Sequence, residues 1–265
     1  MQARTYAVTG VASGIGASLV TLLKQAGHRV VGYDIHNTNN EVDKFIYLDL
    51  NDESAIDQAA SETNEQLNGL CNNAGLPPRP GLEESVLQVN YLGLRKFTKA
   101  VLPMFAENAS IVNMASRAGH QWRDNLDQVK RFAALSQREQ LKQFIDEEQI
   151  DATRCYNLSK EALLLWTAAE SEALSTQQCR MNSISPAGVS TDILDDFKRA
   201  FGDKVSKNLE RTGRAVLPEE VAELAAFLLS DNSHWIKGTD VPIDGGMGAY
   251  LMTDALQLQK MQMLF

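Results

Sequence analysis

The chain has 265 residues, 44% of them hydrophobic and 22% charged, the balance of one folded domain with a substantial core. Its formal net charge of −9 excludes a broad surface for nucleic acid or an anionic membrane, and no apolar run approaches the length of a membrane span. Cys71, Cys155 and Cys179 are widely spaced without a Cys-x-x-Cys pair, and His28, His36, His120 and His234 lack metal-ligand spacing, so reduced thiols and no metal are expected.

The first strand pattern, Tyr6–Thr9, begins almost at the N-terminus. It leaves no room for a signal peptide and sets the expectation of a cytoplasmic protein. A glycine loop and a helix closed by Gly27 follow, then strands at Arg29–Tyr33 and Phe45–Leu48. A polar helix near 52–66 leads to a strand at Gly69–Asn72, and helical patterns cover about 83–107 before the strand Ser110–Met114. Beyond a helix beginning near Tyr156 come the strand Arg180–Ile184, helices near 190–210 and 218–230, and the strand Asp240–Ile243. Alternating strands and helices predict an α/β fold of Rossmann type, a doubly wound parallel sheet of about seven strands. No repeat or linker divides residues 1–265, so a single domain is expected.

Thr9-Gly10-Val11-Ala12-Ser13-Gly14-Ile15-Gly16 follows a strand and opens a helix. Glycines at this point let the backbone turn tightly and approach a pyrophosphate, whose charge the helix N-terminus favours. Asp34 closes the second strand, where a carboxylate can take the ribose hydroxyls of an adenosine and would repel a 2′-phosphate. No Arg or Lys occupies the glycine loop or Ile35-His36-Asn37, so NAD is expected in preference to NADP.

Tyr156 and Lys160 lie one helical turn apart and project from one face. An ammonium beside a phenol favours the phenolate. A phenol titrates near about 10, and lowering it by two or three units takes roughly 3–4 kcal/mol of differential interaction. Alone the pair is weak evidence, since a chance Tyr-x-x-x-Lys is common.

Gly10/Gly14/Gly16, Asn72-Asn73-Ala74-Gly75, Asn90, Ser116 and Tyr156/Lys160 occur in one order, and together they resemble the short-chain dehydrogenase/reductase family from residue 4 to about 248, ending on Ile243-Asp244-Gly245-Gly246. Within it, Gly69-Leu70-Cys71-Asn72-Asn73-Ala74-Gly75, Val89-Asn90-Tyr91-Leu92-Gly93-Leu94 and Arg180-Met181-Asn182-Ser183-Ile184-Ser185-Pro186 resemble bacterial coniferyl-alcohol dehydrogenases. The 3α-hydroxysteroid dehydrogenase/carbonyl reductase group is next in likeness. The resemblance implies that Tyr156 exchanges a proton with the substrate oxygen and that Lys160 depresses the phenol and bonds the nicotinamide ribose. It implies that Ser116 donates to the substrate oxygen and that Asn90 holds a water linking Lys160 to solvent. Asn73, Ala74 and Gly75 would line the cofactor channel, and Asp49 and Leu50 would meet the adenine. Pro186-Ala187-Gly188-Val189-Ser190-Thr191 resembles the family's nicotinamide-carboxamide loop, with Ala187 in place of its usual glycine.

Ser116 and Tyr156 stand 40 positions apart, far more than the resemblance implies, and residues 122–152 read as an insertion. Leu126, Val129, Phe132, Ala133, Leu141, Phe144 and Ile145 recur at helical spacing, predicting an amphipathic hairpin that covers core, walls the pocket or alters subunit contacts. Lying before the Tyr156 helix, it is expected to favour a homodimer over a tetramer joined through helices near 91–107 and 154–174. Ile193, Phe197, Phe201, Val205 and Leu209 form a stripe within 190–212, read either as core or as a helix closing over substrate. Trp122 and Met114 suggest an apolar pocket. Met252, Leu256, Leu258, Met261, Met263 and Leu264 suggest an interface or pocket wall, and Cys155 a buried packing residue.

The leading expectation is an NAD-dependent oxidoreductase interconverting an aromatic or alicyclic alcohol and its aldehyde or ketone, coniferyl-alcohol-like or hydroxysteroid-like. A non-catalytic NAD sensor has no need of a proton relay, and a nucleotide-sugar epimerase would need a further sugar-binding domain.

Overall fold

In the computed structural model, which describes residues 3–38 and 40–261, seven apolar runs become strands. They are β1 (Thr5–Thr9), β2 (Arg29–Asp34), β3 (Lys44–Tyr47), β4 (Leu67–Asn72), β5 (Phe105–Met114), β6 (Arg180–Pro186) and β7 (Asp240–Ile243). The helices of the N-terminal half are α1 (Gly14–Gln25), α2 (Glu53–Glu62), α3 (Glu83–Leu87), α4 (Leu94–Val101), α5 (Leu126–Ala133) and α6 (Gln140–Glu148). Then come α7 (Ala152–Ala169), α8 (Ser171–Thr176), α9 (Leu194–Phe201), α10 (Asp203–Thr212), α11 (Pro218–Leu229) and α12 (Met247–Ala255).

The sheet order is β3-β2-β1-β4-β5-β6-β7, and every pairing is parallel. The chain winds outward from β1 to β3, then returns to lay β4 on the other side of β1. That reversal opens a crevice at the carboxyl ends of β1 and β4, where ligands of doubly wound sheets bind. Strands buried on both faces read as continuous apolar runs, as in Ala7-Val8 and Val30-Val31. One core layer joins Val31, Ile111, Leu158 and Leu163, and the other joins Val8, Leu19, Val112 and Leu228.

Two local expectations need correction. The helical pattern over 83–107 is broken by a π-helical turn at Gln88–Gly93 and ends in a 3₁₀ turn at Leu102–Met104, after which β5 starts at Phe105 rather than Ser110. Pro103 opens that tight turn, and Phe105 already has extended backbone angles (φ −77°, ψ 138°). The 190–210 helix is two helices, α9 and α10, parted at Gly202.

A buried amide ladder holds the helices that carry the site. Asn72 Nδ2 donates to Thr98 Oγ1 on α4 and to Asn113 Oδ1 on β5, each at 2.9 Å, and Asn113 Nδ2 donates to Thr167 Oγ1 on α7 at 2.9 Å. These paired amides and hydroxyls hold α4 and α7 over the sheet, with Asn72 Oδ1 left without a partner among the described residues.

The insertion folds as α5 and α6, which pack on α7 and α3 respectively. Phe132 lies 5.2 Å from the Tyr91 ring, itself 6.4 Å from Trp166, while Val129 and Leu141 are fully buried. Glu161, also buried, accepts from Asn125 Nδ2 and Arg154 Nη2 at 2.7 Å each, clamping the hairpin to α7. Among the described residues no helix is long and apolar enough to cross a membrane.

Candidate active site

The crevice widens into a cavity of about 1240 Å³ that runs from the ends of β2 and β3 to α7 and α9. Its floor begins with the glycine loop. Gly10 has φ +74°, a conformation open to glycine, and a Cβ there would lie 2.8 Å from Asn73 Nδ2. A Cβ on Gly16 would stand 2.0 Å from the Gly10 carbonyl oxygen, so α1 approaches β1 only because the residue has no side chain. Ser13 precedes α1 without capping it through its side chain, and no acidic residue lies in the first turn. This leaves a helix N-terminus suited to an anion.

Thr9 zips the two loops of the crevice together. Its Oγ1 accepts from the N–H groups of Asn73 and Ala74 at 3.0 Å each, and Asn73 Nδ2 donates to the carbonyls of Thr9 and Gly10. This clasp is not visible in the sequence, where Thr9 closes the first strand and opens the glycine motif. A hydroxyl ending an otherwise apolar strand was the available signal.

At the far end, Asp34 accepts from the backbone N–H groups of Ala12 and His36 at 2.9 Å each. The carboxylate is held beside the glycine loop, with Asp49 and Leu50 on the same cavity wall. Ser13, Gly14, Ile15, Asn73, Ala74, Gly75, Pro186, Gly188, Val189 and Thr191 line it too, and Thr191 packs against Gly14. These features fit a dinucleotide: a glycine cradle at a helix start, and a carboxylate at the second strand end. Gly16 and Asn90 are the two site candidates that do not line the cavity. Gly16 acts through packing.

At the other end the structure brings Ser116, Tyr156 and Lys160 together. Asp151 caps α7 by accepting from Arg154 N at 2.7 Å, which places Tyr156 in its second turn and Lys160 one turn later. Lys160 Nζ donates to the Met114 carbonyl at 2.8 Å and lies 5.8 Å from the centre of the Tyr156 ring. Ser116 lies two residues beyond β5, at the start of a 3₁₀ turn, and accepts from Ala118 N at 3.2 Å. Asn90, fully buried in the π-helical turn, accepts from Leu76 N at 2.7 Å and donates to the Leu76 carbonyl and to Ser159 Oγ. What the geometry shows of this side chain is a clamp on the chain after β4.

The charge states run against the simple expectation that the lysine lowers the phenol. Burial pushes Tyr156 up to about 12, with a hydrogen bond from Ser116 lowering it in part. Burial pushes Lys160 down to about 8. Both groups are desolvated, so each charged form is disfavoured until a partner of opposite sign is near.

Arg117, next to Ser116, pairs with Asp244 at 3.0 Å, and Asp244 accepts from the N–H groups of Gly246 and Gly248. This tie between the Ser116 loop and α12 was not foreseen, because it joins residues far apart in the chain. All five residues of the stripe Ile193, Phe197, Phe201, Val205 and Leu209 line the cavity. Phe197 meets the Tyr156 ring edge-on at 5.2 Å, and Phe201 lies 6.4 Å from it.

The insertion does not line the cavity. No residue of 122–152, Trp122 included, reaches it, because the apolar side chains of the hairpin are spent on the core. Met114, Met247 and Leu251 do line it, whereas Met252 and Leu256 are exposed and Leu258 is half-buried. The Met261 side chain, Met263 and Leu264 lie outside the described residues. The three cysteines are buried, and burial pushes Cys155 up to about 12.

Two family models match the chain, one for short chain dehydrogenases over residues 4–126 and one for enoyl-(acyl carrier protein) reductase over residues 141–248. The chain is similar to the coniferyl-alcohol dehydrogenase of Pseudomonas sp. strain HR199, 34% identical over 91% of this chain and 95% of the relative. It is 28% identical to the 3-alpha-hydroxysteroid dehydrogenase/carbonyl reductase of Comamonas testosteroni, over 92% of this chain and 96% of that one. The crystal structure of the 3-alpha-hydroxysteroid dehydrogenase from Pseudomonas sp. B-0831 complexed with NADH superposes with a TM-score of 0.81 at 28% identity, covering 93% of this chain and 98% of that one. With the crevice, the glycine cradle and the Ser116–Tyr156–Lys160 group in one cavity, the chain belongs to the short-chain dehydrogenase/reductase family, and it is an oxidoreductase of alcohol and carbonyl groups.

Proposed function

We propose that the protein is an NAD-dependent dehydrogenase that interconverts an apolar aromatic or alicyclic alcohol and its aldehyde or ketone. The observation that carries this reading is one continuous cavity with Asp34 at one end and Tyr156 under Phe197 and Phe201 at the other. A bound nicotinamide dinucleotide supplies the hydride acceptor or donor. Asp34, already oriented by two backbone N–H groups, would take the ribose hydroxyls, and its charge favours NAD over NADP. Ser13 and the start of α1 would meet the pyrophosphate. Asp49 and Leu50 would flank the adenine, with Asn73 to Gly75 and Pro186 to Thr191 along the channel.

In alcohol oxidation, Tyr156 accepts the hydroxyl proton of the substrate while Ser116 donates to the same oxygen. The accepting form is the phenolate, and Lys160, held by the Met114 carbonyl, brings the positive charge that favours it before the substrate proton is taken up. Asn90 keeps the chain at Leu76, after β4, against α7 and would support a water path to Lys160. The segment 190–212 would close over substrate, since its apolar stripe faces the cavity. Coniferyl-type alcohols suit the aromatic contact at Tyr156, and a fused alicyclic alcohol is the second choice.

The test is a panel of aromatic, alicyclic and short aliphatic alcohols with NAD and with NADP. Aromatic or alicyclic alcohols with NAD should give the highest kcat/KM. Preference for NADP would overturn the role given to Asp34, and preference for short polar alcohols would overturn the substrate class.

The insertion favours a homodimer. Its hairpin covers Tyr91 and packs on α7, the surface through which a second pair of subunits would join. Light scattering should give twice the chain mass, and a stable tetramer built on α4 and α7 would contradict this.

A further inference from the structure

The cavity-covering segment is an excursion with pinned ends and almost no core. Val189 and Val216 bridge its two stems, with Ser190 N donating to the Val216 carbonyl at 2.9 Å and Val216 N to the Gly188 carbonyl at 3.0 Å. Between them α10 has no buried residue, and α9 has one, Asp196, only 5% exposed. The carboxylate is covered by arginines that are themselves largely exposed, so it is shielded at the surface by its partners and not by the core.

Its partner comes from another part of the fold. Arg79 Nη2 donates to Asp196 Oδ2 at 2.6 Å, joining residues 117 positions apart, while Arg199 on α9 itself takes the other oxygen. Arg79 belongs to the loop that leaves β4 past Leu76 and leads into α3. It sits in Pro77-Pro78-Arg79-Pro80, with Pro77 and Pro78 buried. Three prolines restrict the backbone on both sides of Arg79, so the arginine is presented from a rigid arm and little entropy is lost on pairing. One residue beyond Asp196, Phe197 seats on the Tyr156 ring at 5.2 Å. The position of α9 over the reacting group is therefore set by the aromatic contacts of Phe197 and Phe201 with Tyr156 and by one ion pair that ties the helix to the loop after β4.

We propose that Arg79 and Asp196 form a latch across the substrate entrance, which makes Arg79 a positioning residue that sets substrate affinity without touching substrate. The inference rests on the dehydrogenase reading given above. When the pair is made, α9 holds Phe197 and Phe201 against the bound alcohol. When it breaks, Asp196 is solvated and α9 lifts from Tyr156. The Arg79 side chain is 52% exposed, so the latch is screened by salt.

Kinetics with NAD and coniferyl alcohol test this. Arg79→Gln should raise the KM for coniferyl alcohol about tenfold, with kcat changing far less, because uniform binding and not chemistry is lost. In the unaltered enzyme that KM should climb with added sodium chloride, and in Arg79→Gln the climb should vanish. Arg79→Lys should restore part of the affinity, whereas a residue serving only the loop's fold would change Tm and leave the salt dependence in place. Hydrogen exchange reads the latch without turnover: amides of Leu194–Phe201 should exchange faster in Arg79→Gln than in the unaltered protein. Unchanged KM, salt dependence and exchange would overturn the latch. An unaltered enzyme that leaves coniferyl alcohol untouched would instead count against the dehydrogenase reading, and exchange of the α9 amides would still decide the latch.

Discussion

Tyr156→Phe should lower kcat for alcohol oxidation by about 10²–10⁴-fold, the usual worth of a positioned general acid–base, while the affinity for NAD changes by about twofold or less. The structure makes this a clean substitution. The ring of residue 156 carries the packing, with Phe197 at 5.2 Å and Phe201 at 6.4 Å, and a phenylalanine keeps both contacts. What disappears is the hydroxyl, the one group of the ring that can take a proton from the substrate. Lys160 is held by the Met114 carbonyl, a contact that does not involve the hydroxyl. The loss should thus appear in kcat and not in Tm. Steady-state rates with isothermal titration of NAD would check it, and retained turnover would remove Tyr156 from the chemistry.

Gly16→Ala should weaken NAD binding by at least about tenfold and lower stability by roughly 1–3 kcal/mol, the range for overpacking a tight interior. The added Cβ would stand 2.0 Å from the Gly10 carbonyl oxygen, 2.8 Å from its carbon and 2.7 Å from Asn73 Nδ2. Two of these three atoms are backbone, so side-chain rotation gives no relief, and α1 must retreat from β1. That motion carries away the helix start that receives the pyrophosphate and breaks the Asn73 hydrogen bonds to Thr9 and Gly10. A calorimetric Kd equal to that of the unaltered protein would contradict the packing role of this glycine.

The parts of the fold that were legible in the sequence are those with strong local signals. The run Tyr6–Thr9, the glycine loop and the following helix announce themselves within a few residues, and Tyr156 and Lys160 share a helix face by spacing alone. The π-helical turn at Gln88–Gly93 was not legible, because it arises where the buried Asn90 side chain binds the Leu76 backbone, a tertiary contact. The early start of β5 was hidden by the polar stretch Glu107-Asn108, which reads as loop and forms an exposed irregularity within the strand, with Asn108 at φ +63°. The hairpin of the insertion followed from its amphipathic spacing. Its placement did not, since a stripe of apolar residues shows that a face is buried without showing against what. The apolar stripe on α9 and α10 carried the same ambiguity and faces the cavity instead. Arg79 and Asp196 show the limit most clearly: each reads as an ordinary surface charge until the fold brings them together.

The central claim is that this cavity binds NAD and oxidises an apolar alcohol through Tyr156. The most direct measurement is the absorbance of reduced nicotinamide after mixing the purified protein with NAD and coniferyl alcohol. The predicted result is steady growth proportional to protein concentration and absent in Tyr156→Phe. Tight binding of NAD with no reduction by any aromatic or alicyclic alcohol would contradict it.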